Sequence, residues 1–438
     1  MNLTGLTVNC KHLRKYIATQ LYYMIPHYQH TVTERFMRYV QIDTQSNPNS
    51  NTHPTTEKQK QLSALLAQEL QAMGLSDAHT DAWGYVYATI PATTNKQVPV
   101  IALCSHIDTA PDCSGTNVQP ILHRNYQGQP IVLPKDEQQI LTVNNHPYLN
   151  KHIGSDVITA SGDTLLGADD KAGVAIIMDL AHYLITNPSI AHGTIKIVFT
   201  PDEEVGQGTA KIDIAKIGAQ YAYTLDGGEA GTLEDETFSA DGATLTIHGV
   251  IAHPGYAKGK LVNALKIAGE VLAALPTQEW APEATDGRAG FVHPVQVNGI
   301  AEKASIDFII RDFDTSQLAV HEAKLEALAK AVVSKHAGAT YTFEVYEQYR
   351  NMKEILDQHP QVVANAITAY ERCGLQVMKE PIRGGTDGSR LSFMGLPCAN
   401  LFTGMQGIHS KQEWVGVKDM ELAVAMLVQL VQVWEAQA

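Results

Sequence analysis

The sequence of 438 residues has little cysteine, an excess of acidic over basic residues, and no long hydrophobic run. Its five cysteines are widely spaced and form no C-x-x-C pair, which indicates free thiols and predicts a cytoplasmic location. The absence of any stretch of about 18 apolar residues argues against a membrane-spanning helix. Lys and Arg number 32 against 46 Asp and Glu, and the net charge of −14 argues against a general nucleic-acid binder.

Length and composition indicate a globular protein with more than one domain. Apolar residues make up 44% and charged residues 18% of the chain, as is typical of folded proteins. At roughly 150 residues per domain, about two to three domains are expected. Residues 1–28 contain a short basic and apolar stretch without a small-residue cleavage site. We interpret them as an N-terminal extension and not as a signal peptide.

Helical and strand patterns alternate up to residue 226, which predicts an α/β domain with a mixed, largely parallel sheet and flanking helices. The predicted helices cover 33–42, 56–73 and 172–185, and the predicted strands cover 85–90, 98–103, 194–200 and 221–225. The turn-rich residues 111–163 predict a long excursion over the surface. The Gly-rich and acidic residues 229–241 are interpreted as a solvated hinge.

The order of elements changes after this hinge. Residues 243–346 read as β-α-β-β-α-β, which predicts a small ferredoxin-like α+β domain. The remainder returns to α/β character and ends in a helix. We therefore predict one large domain in two segments, 29–232 and 351–438, with the small domain inserted between them at 233–350.

Polar clusters follow the predicted strands, at the position where open α/β sheets place their ligands. The clusters cover 105–108, 167–173, 200–206, 225–228 and 407–410. His106 and Asp108 project from the same side of an extended segment, so the carboxylate can orient the histidine. Glu203 and Glu204 follow a buried strand, where acids are costly unless a cation neutralises them. Two histidines among several carboxylates suit two Zn²⁺, Mn²⁺ or Co²⁺ ions.

The motifs and their order resemble the co-catalytic zinc exopeptidases, a family that includes carnosinase, aminoacylase and succinyl-diaminopimelate desuccinylase. In chain order they are HID, GADDKAG, PDEEVG, DGG, HPG-x-AKGK, RGGTDG and GIHS. The resemblance runs from about residue 32 to the C-terminus. Longer strings such as SHIDTAPDCSG, FTPDEEVGQG and PIRGGTDGSRLS are similar to the tripeptide aminopeptidases of that family.

The resemblance implies a set of metal ligands. It implies that His106 and Asp226 hold one divalent ion, that Glu204 and His409 hold a second, and that Asp169 bridges the two. In this family the peptide bond that follows the bridging aspartate is cis. The ions are expected to be Zn²⁺, with Co²⁺ or Mn²⁺ as alternatives.

The resemblance also implies catalytic and substrate-binding residues. Asp108 would orient the first histidine, and Glu203 would be the general base that takes a proton from the attacking water. His253 would stabilise the tetrahedral oxyanion, often across a dimer interface. Arg311 and Arg383 are candidates to bind substrate carboxylate or backbone, because a guanidinium grips a carboxylate bidentately.

Two of these residues have structural alternatives that the sequence leaves open. His253 precedes Pro254 and is also typical of a turn. For Arg311, an ion pair with Asp312 or Asp314 is the competing explanation.

The expected activity is a dinuclear metal-dependent aminopeptidase that removes the N-terminal residue from short unblocked peptides, tripeptides above all. The resemblance also suggests a homodimer through the inserted lid domain. One alternative applies the same metal chemistry to a dipeptide, to a C-terminal residue or to an N-acyl amino acid. A more remote alternative is a non-catalytic binding relative. The motifs H-E-x-x-H, G-x-S-x-G and Walker A are absent, which argues against other enzyme classes.

Overall fold

The computed structural model describes Ile25 and residues 27–438, so most of the predicted extension 1–28 lies outside the described residues. The chain divides into two compact units. The large unit has a first segment that ends at Asp235 and adds Ile355–Glu380 and Thr386–Ala438. The small unit comprises Glu236–Glu354 together with Pro381–Gly385.

An eight-stranded mixed sheet forms the centre of the large unit. Its strands, in spatial order, are His79–Thr80, Val86–Ile90, Ile195–Thr200, Ile101–His106, Tyr221–Gly227, Cys398–Phe402, Thr232–Glu234 and Met378–Lys379. The four central strands run parallel, and antiparallel neighbours flank them. Strand Ile101–His106 is buried at every position, as expected for a parallel strand covered on both faces. The predicted fold class is confirmed.

Helices flank this sheet. Those of the large unit are Val32–Tyr39, Gln59–Ala72, Ala168–Thr186, Ile214–Ile217, Pro360–Arg372, Asp387–Phe393 and Val417–Ala436. The short helix Lys353–Leu356 lies at the boundary between the units. In the described part of the chain, no helix has both the length and the apolar surface needed to cross a membrane.

Residues 111–163 are not the surface excursion that their turn-rich sequence predicts. They contribute strands Ile121–His123 and Val157–Thr159 to a second sheet, and a separate pair of short strands. They also bury their own apolar cluster, composed of Tyr126, Ile131, Leu133, Leu141, Leu149 and Val157 together with Trp414. The expectation was wrong because strands of two or three residues are too short to show a periodic pattern.

The acidic segment 229–241 also differs from the expected solvated hinge. Thr232–Glu234 forms a strand of the large sheet. Asn400 donates to the buried carboxylate of Glu234 at 2.5 Å, and burial raises the pKa of that carboxyl to about 8. The next strand of the chain already begins at Ser239. Most of this charge run is therefore structured.

The small unit has the order β-α-β-β-α-β that the sequence predicts. Its elements are Ser239–His248, Ala264–Ala274, Phe291–Gly299, Lys303–Asp312, Thr315–Val333 and Thr340–Tyr349. Its four strands form one antiparallel sheet, in which Lys303–Asp312 and Ser239–His248 are central. Apolar residues of both helices pack against alternate residues of the sheet. This is the ferredoxin-like arrangement.

A buried carboxylate fixes the first described residues to the large unit. Asp179, on helix Ala168–Thr186, is fully buried and accepts hydrogen bonds from Tyr28 Oη at 2.7 Å and from the Thr31 N–H at 2.9 Å. His30 Nδ1 lies 2.8 Å from its second oxygen. Burial alone would raise the pKa of Asp179, but the hydrogen bonds from His30 and Thr31 outweigh it and lower the pKa.

We predict that Asp179→Asn lowers the free energy of unfolding by about 2–3 kcal/mol at neutral pH, because it removes hydrogen bonds to a buried charge. The lowered pKa means that the carboxylate stabilises the fold above its ordinary pKa of 3.8, and that this stability is lost as the pH falls through the folded-state value. The difference between the two proteins should therefore shrink towards acid pH. Urea unfolding over a pH series measures it. The exposed Asp286→Asn is the control, and equal stability of Asp179→Asn and wild type at neutral pH would contradict the prediction.

Candidate metal centre

The candidate site lies at one edge of the large sheet, where the central parallel strands end. His106 is the last residue of strand Ile101–His106, and Asp226 is the penultimate residue of Tyr221–Gly227. Glu203 and Glu204 lie in the turn that follows strand Ile195–Thr200. The carboxyl ends of parallel strands meet at the same edge, which is why residues far apart in sequence come together here.

All five residues predicted as metal ligands come together, in two groups of three. His106, Asp169 and Asp226 offer one ligand atom each within 4.8 Å of one another, and Asp169, Glu204 and His409 do the same. Asp169 belongs to both groups. A carboxylate has two oxygens, so one side chain can serve two neighbouring cations.

The first group is oriented by Asp108. His106 Nδ1 lies 3.2 Å from the Asp108 carbonyl oxygen and 3.4 Å from its carboxylate. With the Nδ1 proton directed there, the Nε2 lone pair faces Asp169 Oδ1 at 2.9 Å and Asp226 Oδ1 at 3.6 Å. A histidine that ligates a metal is typically held in this way by its other ring nitrogen.

The second group is arranged around His409. Its Nε2 lies 3.0 Å from Glu204 Oε2 and 3.3 Å from Asp169 Oδ2. Its Nδ1 lies 3.3 Å from Asp112 Oδ2, so a carboxylate faces each ring nitrogen. Hydrogen bonds to Asp169 and Glu204 raise the pKa of His409 to about 11, which shows that this pocket attracts positive charge.

The chemistry of these side chains fits divalent cations. Burial, followed by the charge of Asp169, raises the pKa of Glu204 to about 8. Burial also raises the pKa of Asp226 to about 6. Glu204 Oε1 is buried and, within the described residues, has no hydrogen-bond partner. Crowded, buried carboxylates with an unsatisfied oxygen are costly unless cations neutralise them.

Asp108 also holds the turn that carries the two glutamates. Its Oδ1 accepts the backbone N–H of Glu203 at 3.0 Å, and its Oδ2 accepts that of Glu204 at 3.2 Å. The same carboxylate thus positions His106 and the neighbouring turn. The sequence resemblance implies only the first of these contacts.

The start of helix Ala168–Thr186 has an unusual backbone. Gly167 has φ +82°, and the Asp169–Asp170 peptide bond is cis, as the resemblance implies. Gly173 lies so close to the neighbouring strand that an added Cβ would be 2.0 Å from the Leu225 carbonyl oxygen. These two glycines allow the side chain of Asp169 to project towards the strand ends. The glycines that flank the GADDKAG motif predict this orientation.

Glu203 lies beside the first ligand group and lines a small cavity with His106 and Asp226. Burial raises the pKa of Glu203 well above its ordinary value, and the charges of Asp226 and Asp387 raise it further. A raised pKa makes a carboxylate a stronger base, which favours the uptake of a proton.

Sequence reasoning missed several buried polar residues around the ligands. Asn400 lies in a fully buried strand, where its amide donates to the Asp226 carbonyl and accepts the Asp226 N–H, both at 3.2 Å. Asp202, which precedes the glutamates, accepts hydrogen bonds from Thr55 and Gln59. Glu413, four residues after His409, was also missed. The available signal was a polar side chain inside or beside a buried strand, which is costly without a partner.

His253 and Arg311 lie in the small unit. His253 is exposed, and its Nδ1 accepts the Gly255 N–H at 3.1 Å, as a turn residue would. Arg311 donates to the carbonyl oxygens of Asp241 at 3.2 Å and Ile310 at 2.9 Å, and it stacks on the Tyr349 ring. Main-chain carbonyls thus take the place of the ion pair with a neighbouring aspartate that the sequence left open.

Arg383 also lies in the small unit and braces one loop. Its guanidinium donates to the carbonyl oxygens of Gly287 at 2.6 Å and Ala289 at 3.0 Å. It also stacks on the rings of Phe238 and Phe291. Pro381–Gly385 belongs to the small unit, and the contacts of Arg383 hold it there. The sequence instead predicts these residues to lie in the second segment of the large domain.

Comparison with known proteins shows the family of the chain. The model of peptidase family M20/M25/M40 matches residues 156–433. The chain belongs to this family. It is therefore a hydrolytic peptidase, and the resemblance found in the sequence is confirmed. The peptidase T of Geobacillus kaustophilus is 46% identical over 405 residues, which cover 92% of this chain and 98% of that protein.

Two solved structures share the fold. An aminopeptidase of Bacillus cereus superposes with a TM-score of 0.70 at 23% identity, over 92% of this chain and 98% of that one. A tripeptidase of Staphylococcus aureus superposes with a TM-score of 0.71 at 22% identity, over 93% of this chain and 98% of that one. At these identities the structural similarity supports a shared fold and nothing beyond the fold.

Proposed function

We propose that the protein is a dinuclear metal-dependent aminopeptidase that removes the N-terminal residue from tripeptides. The observation that carries the proposal is the carboxylate of Asp169, shared between two groups of three potential ligands. The identity of 46% with a peptidase T over almost the whole chain supports the substrate class.

We also infer a cytoplasmic enzyme, since the cysteines of the described chain are unpaired. Recovery of the protein from a secreted or periplasmic fraction would contradict that location.

Two divalent ions would be held by the five ligands described above. Imidazole and carboxylate ligands suit Zn²⁺, and they also accept Mn²⁺ or Co²⁺. When bound, the ions supply Lewis acidity towards water and towards the carbonyl group of the scissile peptide bond.

The chain's own residues supply proton transfer and orientation. Glu203 takes a proton from the attacking water and delivers it to the amine that leaves. The contact with Asp108 keeps the Nε2 lone pair of His106 directed at the site, and the same carboxylate fixes the turn of Glu203.

We further propose that the small unit is an inserted lid that contributes to substrate binding. The Nδ1 atom of His253 accepts a hydrogen bond within its own turn, from the Gly255 N–H. Its Nε2 is therefore the atom that would stabilise an oxyanion. Arg311 and Arg383 are engaged by main-chain carbonyls, and they would bind a substrate carboxylate by exchanging some of these hydrogen bonds.

Glu203→Ala should retain its metal ions and lose most of its hydrolysis, by about 10²–10⁴-fold, because general acid–base catalysis contributes about that much. The measurements are kcat and KM on a tripeptide, with the metal content of the same samples. Glu137→Ala removes an exposed glutamate and serves as the control. Substantial activity in Glu203→Ala would show that the general base is a different residue.

The free N-terminus of the substrate should be required. Leu-Gly-Ala and N-acetyl-Leu-Gly-Ala differ only in that amine, and their three residues are distinct, so the product released from each identifies the cleaved bond. The proposal predicts release of leucine from the free peptide and negligible cleavage of the acetylated peptide. Release of alanine from both peptides would favour a carboxypeptidase, and release of acetate from the acetylated peptide alone would favour a deacylase.

A homodimer through the small unit is the assembly that we propose. Strand Phe291–Gly299 lies at the edge of its sheet and exposes Val295 by 52% and Val297 by 50%, and Ile300 follows with 62%. An exposed apolar sheet edge is typical of an interaction surface. Sedimentation equilibrium should show a dimer that Val297→Lys dissociates. A wild-type protein that remains monomeric at high concentration would contradict this assembly.

A further inference from the structure

Glu413 is a buried carboxylate that neither ligand group uses. It lies four residues after His409 and directly before strand Trp414–Gly416. Its relative exposure is 1%. A carboxylate in such a position is costly unless its oxygens are hydrogen-bonded.

Its partners all belong to the backbone around Asp169. One oxygen of Glu413 accepts the N–H groups of Leu166 and Gly167, both at 2.7 Å. The other oxygen accepts the N–H of Asp169 at 3.0 Å. A single side chain thus satisfies three backbone donors on the loop that presents the shared carboxylate, and this loop also has a positive φ at Gly167.

The main chain of Glu413 takes part in the other ligand-bearing loop. Its N–H donates to the Ser410 carbonyl oxygen at 3.3 Å, and Ser410 Oγ donates to the Gly407 carbonyl oxygen at 2.6 Å. His409 lies inside this turn with φ +59°. The main chain of Glu413 belongs to the turn of His409, and its side chain binds the loop of Asp169. Glu413 therefore connects the two segments.

We propose that Glu413 is a positioning residue that sets the Asp169 carboxylate relative to His409 and thereby raises the affinity of the site for metal ions. It contacts neither the ions nor the substrate, and it acts through the backbone of Asp169. The inference rests on the proposed two-metal function. The competing explanation is a buried group that stabilises the fold alone.

Glu413→Gln separates these two explanations, because it keeps the size of the side chain. The amide oxygen can still accept two N–H groups, but the amide nitrogen cannot accept the third. We expect zinc affinity to fall by about 10–100-fold, as is typical when a residue that supports a ligand is changed. Competition with a chromophoric zinc chelator measures this affinity. The visible absorption spectrum of the Co²⁺-loaded protein should also change, since it reports ligand geometry.

Asp179→Asn is the matched control. Asp179 is likewise a buried carboxylate that accepts a backbone N–H, and it lies on the helix that Asp169 opens, about 15 Å further along at 1.5 Å per residue. This variant should lose stability without any change in zinc affinity or in the Co²⁺ spectrum.

The outcomes distinguish the inference from the function on which it rests. Wild-type zinc affinity and an unchanged Co²⁺ spectrum in Glu413→Gln, with only a lower melting temperature, would overturn the positioning role. If that variant does not fold, Glu413→Asp keeps the charge and shortens the reach, and the same two readouts decide. A wild-type protein that binds fewer than two zinc ions would instead contradict the proposed function, and the inference with it.

Discussion

The crowding of carboxylates around Asp169 governs how the candidate metal centre is built. Asp169, Glu204 and Asp226 lie close together at the end of a buried sheet, and burial raises the pKa of the last two. Like charges in such surroundings repel one another and lose hydration, so nearby cations would stabilise the arrangement. Two histidines complete the set, and Asp169 belongs to both groups of candidate ligands.

The surrounding structure holds these crowded side chains in place. Parallel strands bring His106 and Asp226 to one edge, and Gly173 lets the helix of Asp169 approach that edge. Buried polar side chains then fix the backbone of the ligands. Asp108 holds the turn of Glu204, Asn400 holds Asp226, and Glu413 holds the loop of Asp169. Each of these contacts joins elements that are distant in the sequence, so the site forms only when the sheet is assembled.

The structure brings the candidate ligands predicted from the sequence together, whereas the residues that support them were not predicted, for a physical reason. Acids and histidines after apolar strands are unusual on their own, so His106 and Glu204 stand out locally. Asn400 and Glu413 are recognisable only through partners more than 170 and 240 residues away. The β-α-β-β-α-β order of the small unit follows from long, regular elements. The structure of residues 111–163 is not predictable in this way, because their core is assembled from strands of two or three residues together with Trp414.

Anomalous diffraction from crystals of the zinc-loaded protein, recorded on both sides of the zinc absorption edge, would locate the bound ions. If Asp169 is shared, two peaks are expected, about 3.5–4 Å apart, on either side of its carboxylate. One peak should lie beside His106 and Asp226, and the other beside Glu204 and His409. A single peak, or two peaks that do not share Asp169, would show that Asp169 does not join two metal ions.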